Sequence, residues 1–327
     1  MANAPFAAGS VAIKLHLHDE LDAAGRVCEL LRQAELAEEL GFDGVVLSEH
    51  HAGVLPGYLP VPTSAVGWIL AGTERLWAAP CPTLLLLRNA VLVVEELAWL
   101  AAAFPGRVGA AFAAGSPGLE FRLIGAESDD LATQFENQLG SVVAMMRAPN
   151  AYEGLRDDAA LARLVEAPVP TLSAASSSIA CERAARLGTG LLLDAEITPA
   201  AARRRVDSYQ AAGGTGPQVL MRKVWVGEPP HELIARQHAD YRRRAKARGR
   251  AYPDRPAIDG GFVSGDSSSV AEVLSQLRVD GGADALIITV HLPGLSASQA
   301  REQIRLIAGE VLPRLSATAR STFHEDL

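Results

Sequence analysis

His16-Leu17-His18 places two imidazoles two residues apart, and Glu49-His50-His51 sets a carboxylate beside two more. Along a strand, residues two apart project from the same face, so His16 and His18 can share a site. An imidazole titrates near neutral pH and can bind a metal or move a proton, and an adjacent carboxylate can fix its tautomer. Further on come Ser176-Ser177-Ser178, then Asp194, Glu196 and His291. Serines just ahead of a helix suit an anion, because the first amides of a helix lack partners; they serve equally as helix caps. His231, His238 and His324 stand in charged helical or terminal sequence and are given no role.

What must position these groups is a scheme of strand followed by helix, repeated eight times. Residues 11–18, 44–48, a stretch within 75–87, 108–113, 169–174, 191–194, 219–226 and 284–290 read as strands. Helical spacing of apolar residues marks 19–40, 63–71, 89–103, 131–146, 179–187, 200–211, 231–248 and 297–315. Gly41 stands where the first helix should stop. Eight such units in one series predict an α/β chain closed into a single (β/α)₈ barrel over residues 1–327, with loose tails at 1–10 and 317–327. The rival is an open doubly wound sheet, but no Gly-x-Gly-x-x-Gly follows the first strand. In a barrel the site lies at the carboxyl ends of the strands. His16, His18, His50, His51 and His291 all fall there, on strands that a barrel makes neighbours.

Composition narrows the function. The 327 residues are 49% hydrophobic and 21% charged, which suits a large folded core. A formal charge of −8 argues against a nucleic-acid partner, and the basic run 242–248 reads as a solvated helix face. Cys28, Cys81 and Cys181 are odd in number and far apart, with no disulfide framework or zinc ribbon among them. The N-terminus has no signal-peptide pattern and the longest apolar runs are too short to span a membrane, so a cytoplasmic location is expected.

His16-x-His18 on the first strand resembles the opening ligands of the amidohydrolase family, and makes a metal-dependent hydrolase the competing class. A stable site needs more ligands from other strands. That family takes histidines from strands five and six and an aspartate from strand eight. Here no histidine occurs between His51 and His231, and the eighth strand ends in Val290-His291. No metal is therefore expected.

The other reading rests on Gly41-Phe42-Asp43-Gly44-Val45-Val46-Leu47-Ser48-Glu49-His50-His51. This closely resembles the second-strand motif of luciferase-like flavin monooxygenases. The likeness continues through Leu87-Arg88-Asn89-Ala90-Val91, Glu95-Glu96-Leu97-Ala98 and Gly106-Arg107-Val108. It extends to Glu120-Phe121-Arg122-Leu123-Ile124-Gly125, His291-Leu292-Pro293-Gly294 and Val311-Leu312-Pro313. Each motif alone is common; in this order they cover nearly the whole chain.

The resemblance implies reduced FMN, dioxygen, a small organic substrate and a separate flavin reductase. His50 matches the family's essential histidine. Glu49, Cys81, Pro82, Ala113, Ala114, Ser176, Ser177 and Ser178 become the expected cofactor contacts, and His16, His18, His51 and His291 the substrate pocket. A cis peptide in the third strand is also implied, and it falls on Cys81-Pro82; a trans bond with a strand starting at Thr83 is the alternative. The chain departs from luciferase after the fourth strand. Ala113-Ala114-Gly115 stands there in place of a cysteine and a phosphate-binding arginine. That change leaves deazaflavin F420 open as the cofactor. The F420 branch usually shows Asp-His rather than Glu-His-His, which ranks FMN first. A catalytically inert homologue is the third class, favoured by Ala114 and opposed by the retained His50. Family members pair through helices on the second-to-third-strand side. Residues 91–100 are apolar nearly all round, so a homodimer is expected.

Overall fold

Strand and helix alternate from the first residues of the computed structural model, which describes residues 3–116, 118–126, 130–247 and 262–315. The first half comprises β1 (Val11–Lys14), α1 (Ala23–Glu39), β2 (Gly44–Leu47), α2 (Pro62–Ala71), β3 (Trp77–Pro80), β4 (Thr83–Leu84) and α3 (Ala90–Ala103). It continues with β5 (Ala110–Ala113), α4 (Leu119–Ile124), α5 (Leu131–Arg147) and α6 (Ala159–Glu166). The second half holds β6 (Thr171–Ala174), α7 (Ser178–Leu187), β7 (Gly190–Leu193), α8 (Pro199–Ala211), β8 (Gln218–Val226) and α9 (His231–Ala247). Last come β9 (Phe262–Gly265), α10 (Ser267–Gly281), β10 (Ala285–Thr289) and α11 (Ala297–Leu306).

Local chemistry sets these boundaries. Asp22, Ser177, Thr198 and Asp266 cap α1, α7, α8 and α10 by accepting first-turn amides. Gly188 and Gly282 end α7 and α10 in the left-handed conformation that glycine enters freely. The last helix runs on beyond α11 through a π turn at Ile307–Val311.

All the ladders are parallel, in the order β3-β2-β1-β10-β8-β7-β6-β5-β4, with β9 added to the far half of β8. The ends of that path meet. Ala78 donates to the Arg107 carbonyl at 2.8 Å and accepts from Gly109 at 3.0 Å, which joins β3 to the entry of β5. The expected third strand is therefore delivered as two pieces, β3 and β4, with a cis Cys81–Pro82 bond between them. The result is a nearly closed (β/α)₈ barrel ringed by helices.

The strands alternate between two cores, as a barrel requires. Ala12, Val46, Ala79, Ala111, Leu172, Leu192, Val219 and Ile287 pack into the interior. Their neighbours Ile13, Val45, Ala78, Ala110, Leu191, Leu220 and Ile288 pack outward, under the helices. Residues 3–10 do not form the loose tail expected of them. Phe6 is buried edge-on against Trp77, ring centroids 4.9 Å apart, and closes the inner core with it. The expected tail at 317–327 lies outside the described residues.

The strand-helix pattern places nothing between Arg248 and Asp284, where the structure has β9 and α10. It also passes over α6, a short helix capped by Asp158.

Candidate active site

The inward parity of each strand, carried past its carboxyl end, selects the residues that meet above the inner core. On β1 the inward row Ala12 and Lys14 continues to His16; on β2 Val46 and Ser48 lead to His50. On β10 Ala285, Ile287 and Thr289 lead to His291, and on β7 Leu192 leads to Asp194. These rows end in two adjoining chambers. A cavity of about 740 Å³ is lined by His50, Pro82, Ala113, Ala114, Ser176, Ser177, Arg183 and other residues. A smaller one of about 240 Å³ is lined by Lys14, His16, Tyr58, Lys223, Thr289 and His291 among others. Asp194 and Met221 border both.

His50 lines the larger cavity. Its Nδ1 lies 3.0 Å from Glu120 Oε1, and the same oxygen accepts the His51 amide at 2.6 Å. Burial pushes the Glu120 carboxyl up, but the bonds from the His50 ring and the His51 amide outweigh it and hold the group below its ordinary range. An ionised carboxylate only accepts, so Nδ1 carries the proton, and in the neutral ring Nε2 keeps a lone pair. Glu120 belongs to α4, within a motif that the sequence offers without a role.

Glu49, expected beside the cofactor, instead follows the outward parity of Val45 and Leu47. It is fully buried and accepts from the Leu84 amide at 2.7 Å, Arg88 Nε at 2.7 Å and His51 Nε2 at 2.9 Å. Glu49 therefore orients His51, while Glu120 orients His50. This also takes His51 out of the expected substrate pocket. Cys81 is buried in the inner core with its thiol pushed up to about 12 by burial, and Pro82 alone of that pair reaches the cavity. Ser178 opens α7 and does not line the cavity, whereas Ser176 and Ser177 do.

In the small chamber His16 stacks on His291, rings nearly parallel at 4.3 Å. Tyr58 stands edge-on to His16 at 5.0 Å and to His50 at 4.8 Å, bridging the two chambers. The loop carrying Tyr58 is held close by Gly57, at φ 80°, where a Cβ would fall 2.7 Å from His291 Nε2. His16 Nδ1, both ring nitrogens of His291 and Thr289 Oγ1 are buried without partners. His18 is elsewhere: Nδ1 donates to the Leu295 carbonyl at 3.1 Å and Nε2 accepts from Gln33 at 2.8 Å, bolting α1 to the segment before α11. Three expected pocket histidines are thus split, with His16 and His291 in the chamber and His18 in the wall. Among the described residues no group of three His, Cys, Asp or Glu is arranged to hold a metal ion.

Burial, with His18 and the Lys14 ammonium behind it, pushes His291 down to about 3. Burial, then His291, Lys14 and His18, likewise hold His16 well below 6.5. Unfolded histidine titrates near 6.5, so below that pH the unfolded chain binds protons that the folded chain refuses. The stability from His291 is full above pH 6.5 and is lost as pH falls toward about 3, at ~1.4 kcal/mol per unit, and His16 acts in the same direction. Urea unfolding at pH 7 and pH 5 should show a loss about 2 kcal/mol larger in wild type than in His291→Gln. Equal losses in the two proteins would contradict this assignment.

Among the described residues no helix is long and apolar enough to cross a membrane. Comparison with known proteins agrees with the geometry. The family model described as luciferase-like monooxygenase matches residues 9–227. No curated protein matches the chain at a significant level. Solved structures similar in fold include a monooxygenase, RslO1, from Streptomyces bottropensis, 19% identical with TM-score 0.71, covering 93% of this chain and 99% of that one. The oxygenating constituent of 3,6-diketocamphane monooxygenase from Pseudomonas putida, in complex with FMN, is 17% identical with TM-score 0.72, covering 93% and 98%. An F420-dependent secondary alcohol dehydrogenase is 15% identical with TM-score 0.72, covering 94% and 98%. With the barrel, the second-strand Glu49-His50-His51 and a family match across two thirds of its length, the chain belongs to the luciferase-like monooxygenase family.

Proposed function

We propose that the chain is a monooxygenase that uses reduced FMN and dioxygen to oxidise a small organic substrate, with reduced flavin delivered by a separate reductase. The observation that carries this reading is one cavity holding both His50, oriented by Glu120, and the serine-lined amino end of α7. Its volume of about 740 Å³ is within the range of cofactor sites. Ser176, Ser177 and the first amides of α7 are donors for a phosphate, and Ala113, Ala114, Ala174 and Leu192 give an apolar wall for a ring system. Bound there, the flavin would supply the electrons for oxygen activation; the residues around it bind, orient and exclude water. His50 Nε2 is placed to accept and return a proton at the cavity wall. The unpartnered His16, His291 and Thr289 atoms suit a substrate with polar groups in the small chamber, next to the ring site.

Anaerobic titration with reduced FMN and with reduced F420, followed by air, tests the reading. FMN binding followed by oxygen uptake coupled to substrate oxidation is expected. Binding of reduced F420 alone, with hydride transfer and no oxygen uptake, would replace this reading with an F420-dependent oxidoreductase. Binding of neither would remove both.

A homodimer is part of the same proposal. On α3, Leu92 and Trp99 are each 58% exposed, and α2 beside it exposes Trp68. Large apolar side chains clustered on adjoining helices mark a face that a partner covers. Light scattering at micromolar concentration should give twice the chain mass, and Leu92→Asp should shift it toward the monomer. A monomeric wild type would contradict the dimer.

A further inference from the structure

The larger cavity contains a cation that the protein does not neutralise. Arg183, on α7, is 8% exposed, with its guanidinium 5.1 Å from the Phe135 ring centroid. Nη1 reaches only the Ala132 carbonyl, at 3.5 Å, and Nε has no hydrogen-bond partner. Among the described residues no carboxylate lies within ion-pair distance of it; Glu136, whose charge it feels, pairs with Arg186. A guanidinium stays charged at any working pH, and a buried charge without a counter-ion is strongly unfavourable. An anion entering the cavity would supply the missing counter-charge.

The surroundings identify the charge. Ser176 and Ser177, just ahead of α7, and Ala180 and Arg183, three residues apart on it, all line the cavity. Side chains on a helix lean toward its amino end, and the Arg183 guanidinium lies against Ala132 and Phe135 in the wall of the cavity that Ser176 and Ser177 also line. Ser177 Oγ caps α7 through the Ala180 amide at 3.2 Å, and the Ser178 and Ile179 amides have no intrahelical acceptor. Arg205 fixes the approach by donating to the Ala175 and Ser176 carbonyls at 3.3 and 2.9 Å, adding a second positive charge. Leu131 and Ala132 bring the amino end of α5 to the same cavity. Asp194 is the carboxylate in the described lining, and it lies where the two chambers adjoin. Ala113 and Ala114, on the opposing strand end, bring no charge. A hydroxyl, several amides and a planar guanidinium match the three terminal oxygens of a phosphate monoester better than the two of a carboxylate.

We propose that Arg183 anchors the phosphate monoester of the cofactor, and that the protein thereby distinguishes FMN from riboflavin. This rests on the flavin reading above, so the experiment separates the two. Wild type, Arg183→Gln, Arg183→Lys and Arg183→Met are titrated with FMN, riboflavin and inorganic phosphate, and their melting temperatures are measured without ligand. Wild type should bind FMN at least about tenfold tighter than riboflavin, the span of a charge-assisted contact. In Arg183→Gln the ratio should fall to within about threefold through loss of FMN affinity alone, with Arg183→Lys intermediate. Without ligand, Arg183→Met should melt at or above the wild-type temperature, because it removes an uncompensated buried charge; a merely structural arginine would show the reverse. Inorganic phosphate should raise the melting temperature of wild type and leave Arg183→Gln unmoved. An unchanged FMN-to-riboflavin ratio in folded Arg183→Gln would overturn the anchor. If wild type bound neither FMN nor F420, the cofactor reading would fall; phosphate stabilisation of wild type but not Arg183→Gln would still uphold the anion site, and its absence would overturn that too.

Discussion

His50→Ala should lower substrate oxidation by about 10²-fold or more, the usual loss for a general acid–base group, while the barrel and flavin binding persist. The imidazole is one-quarter exposed at the cavity, so its removal opens no core void. Glu120 keeps the His51 amide as a donor when the ring is gone, which limits the structural cost. Glu120→Gln supplies the finer test. It preserves an acceptor for Nδ1 but removes the carboxylate charge that strengthens that bond, so turnover should fall by less than in His50→Ala. Flavin affinity and turnover at saturating reduced flavin are measured separately. Unchanged turnover in His50→Ala with normal flavin binding would take His50 out of the mechanism.

The largest stability effect is expected at Glu49, one position away. Its carboxylate is wholly buried and holds the Leu84 amide, Arg88 and His51 together. Glu49→Ala leaves the Arg88 guanidinium with only the half-exposed Glu96, 3.1 Å from its Nη1, and strips the buried Leu84 amide of its acceptor, which together cost about 3 kcal/mol. Glu49→Gln, which keeps the volume and one oxygen acceptor, should cost less. Glu49→Met combined with Arg88→Met should recover part of the loss, because an apolar pair replaces the buried ions and the half-exposed Glu96 turns to water, while the Leu84 amide stays without its acceptor. Denaturant unfolding of the four proteins checks this ordering. A Glu49→Ala protein as stable as wild type would show that the buried pair contributes nothing.

The contrast between these neighbours shows where sequence reading succeeds. Apolar periodicity and helix stops sufficed for the eight barrel strands, because each half of the pattern obeys a fixed repeat, two for strands and 3.6 for helices. The place of the site followed from the barrel itself. Assigning roles within Glu49-His50-His51 needed parity: Val45 and Leu47 face the helices, so Glu49 must too, and His50 must face the cavity. That rule was available in the sequence, yet the partners were not. Arg88 lies 39 residues and Glu120 70 residues along the chain from the groups they bind.

Other elements show the limit from the opposite side. Asp266 followed by three serines and a helical spacing of apolar residues marks α10 in the sequence. The inward row of β1 predicts His16 and His18 together, but the strand ends at Lys14 and the chain turns, so only His16 reaches the chamber. Arg183 gave no sequence signal, since a lone arginine in an amphipathic helix usually faces water.

The sequence by itself therefore determined the barrel, the family and the ring of strand ends where chemistry can occur, because these depend on short-range periodicity and on motifs read in order. Only the tertiary structure decided which carboxylate serves which histidine and that His18 is part of the wall. It alone placed a buried guanidinium in the wall of the larger cavity. Those outcomes depend on contacts between residues distant in sequence, and on how far each strand runs before it turns, which no local pattern encodes.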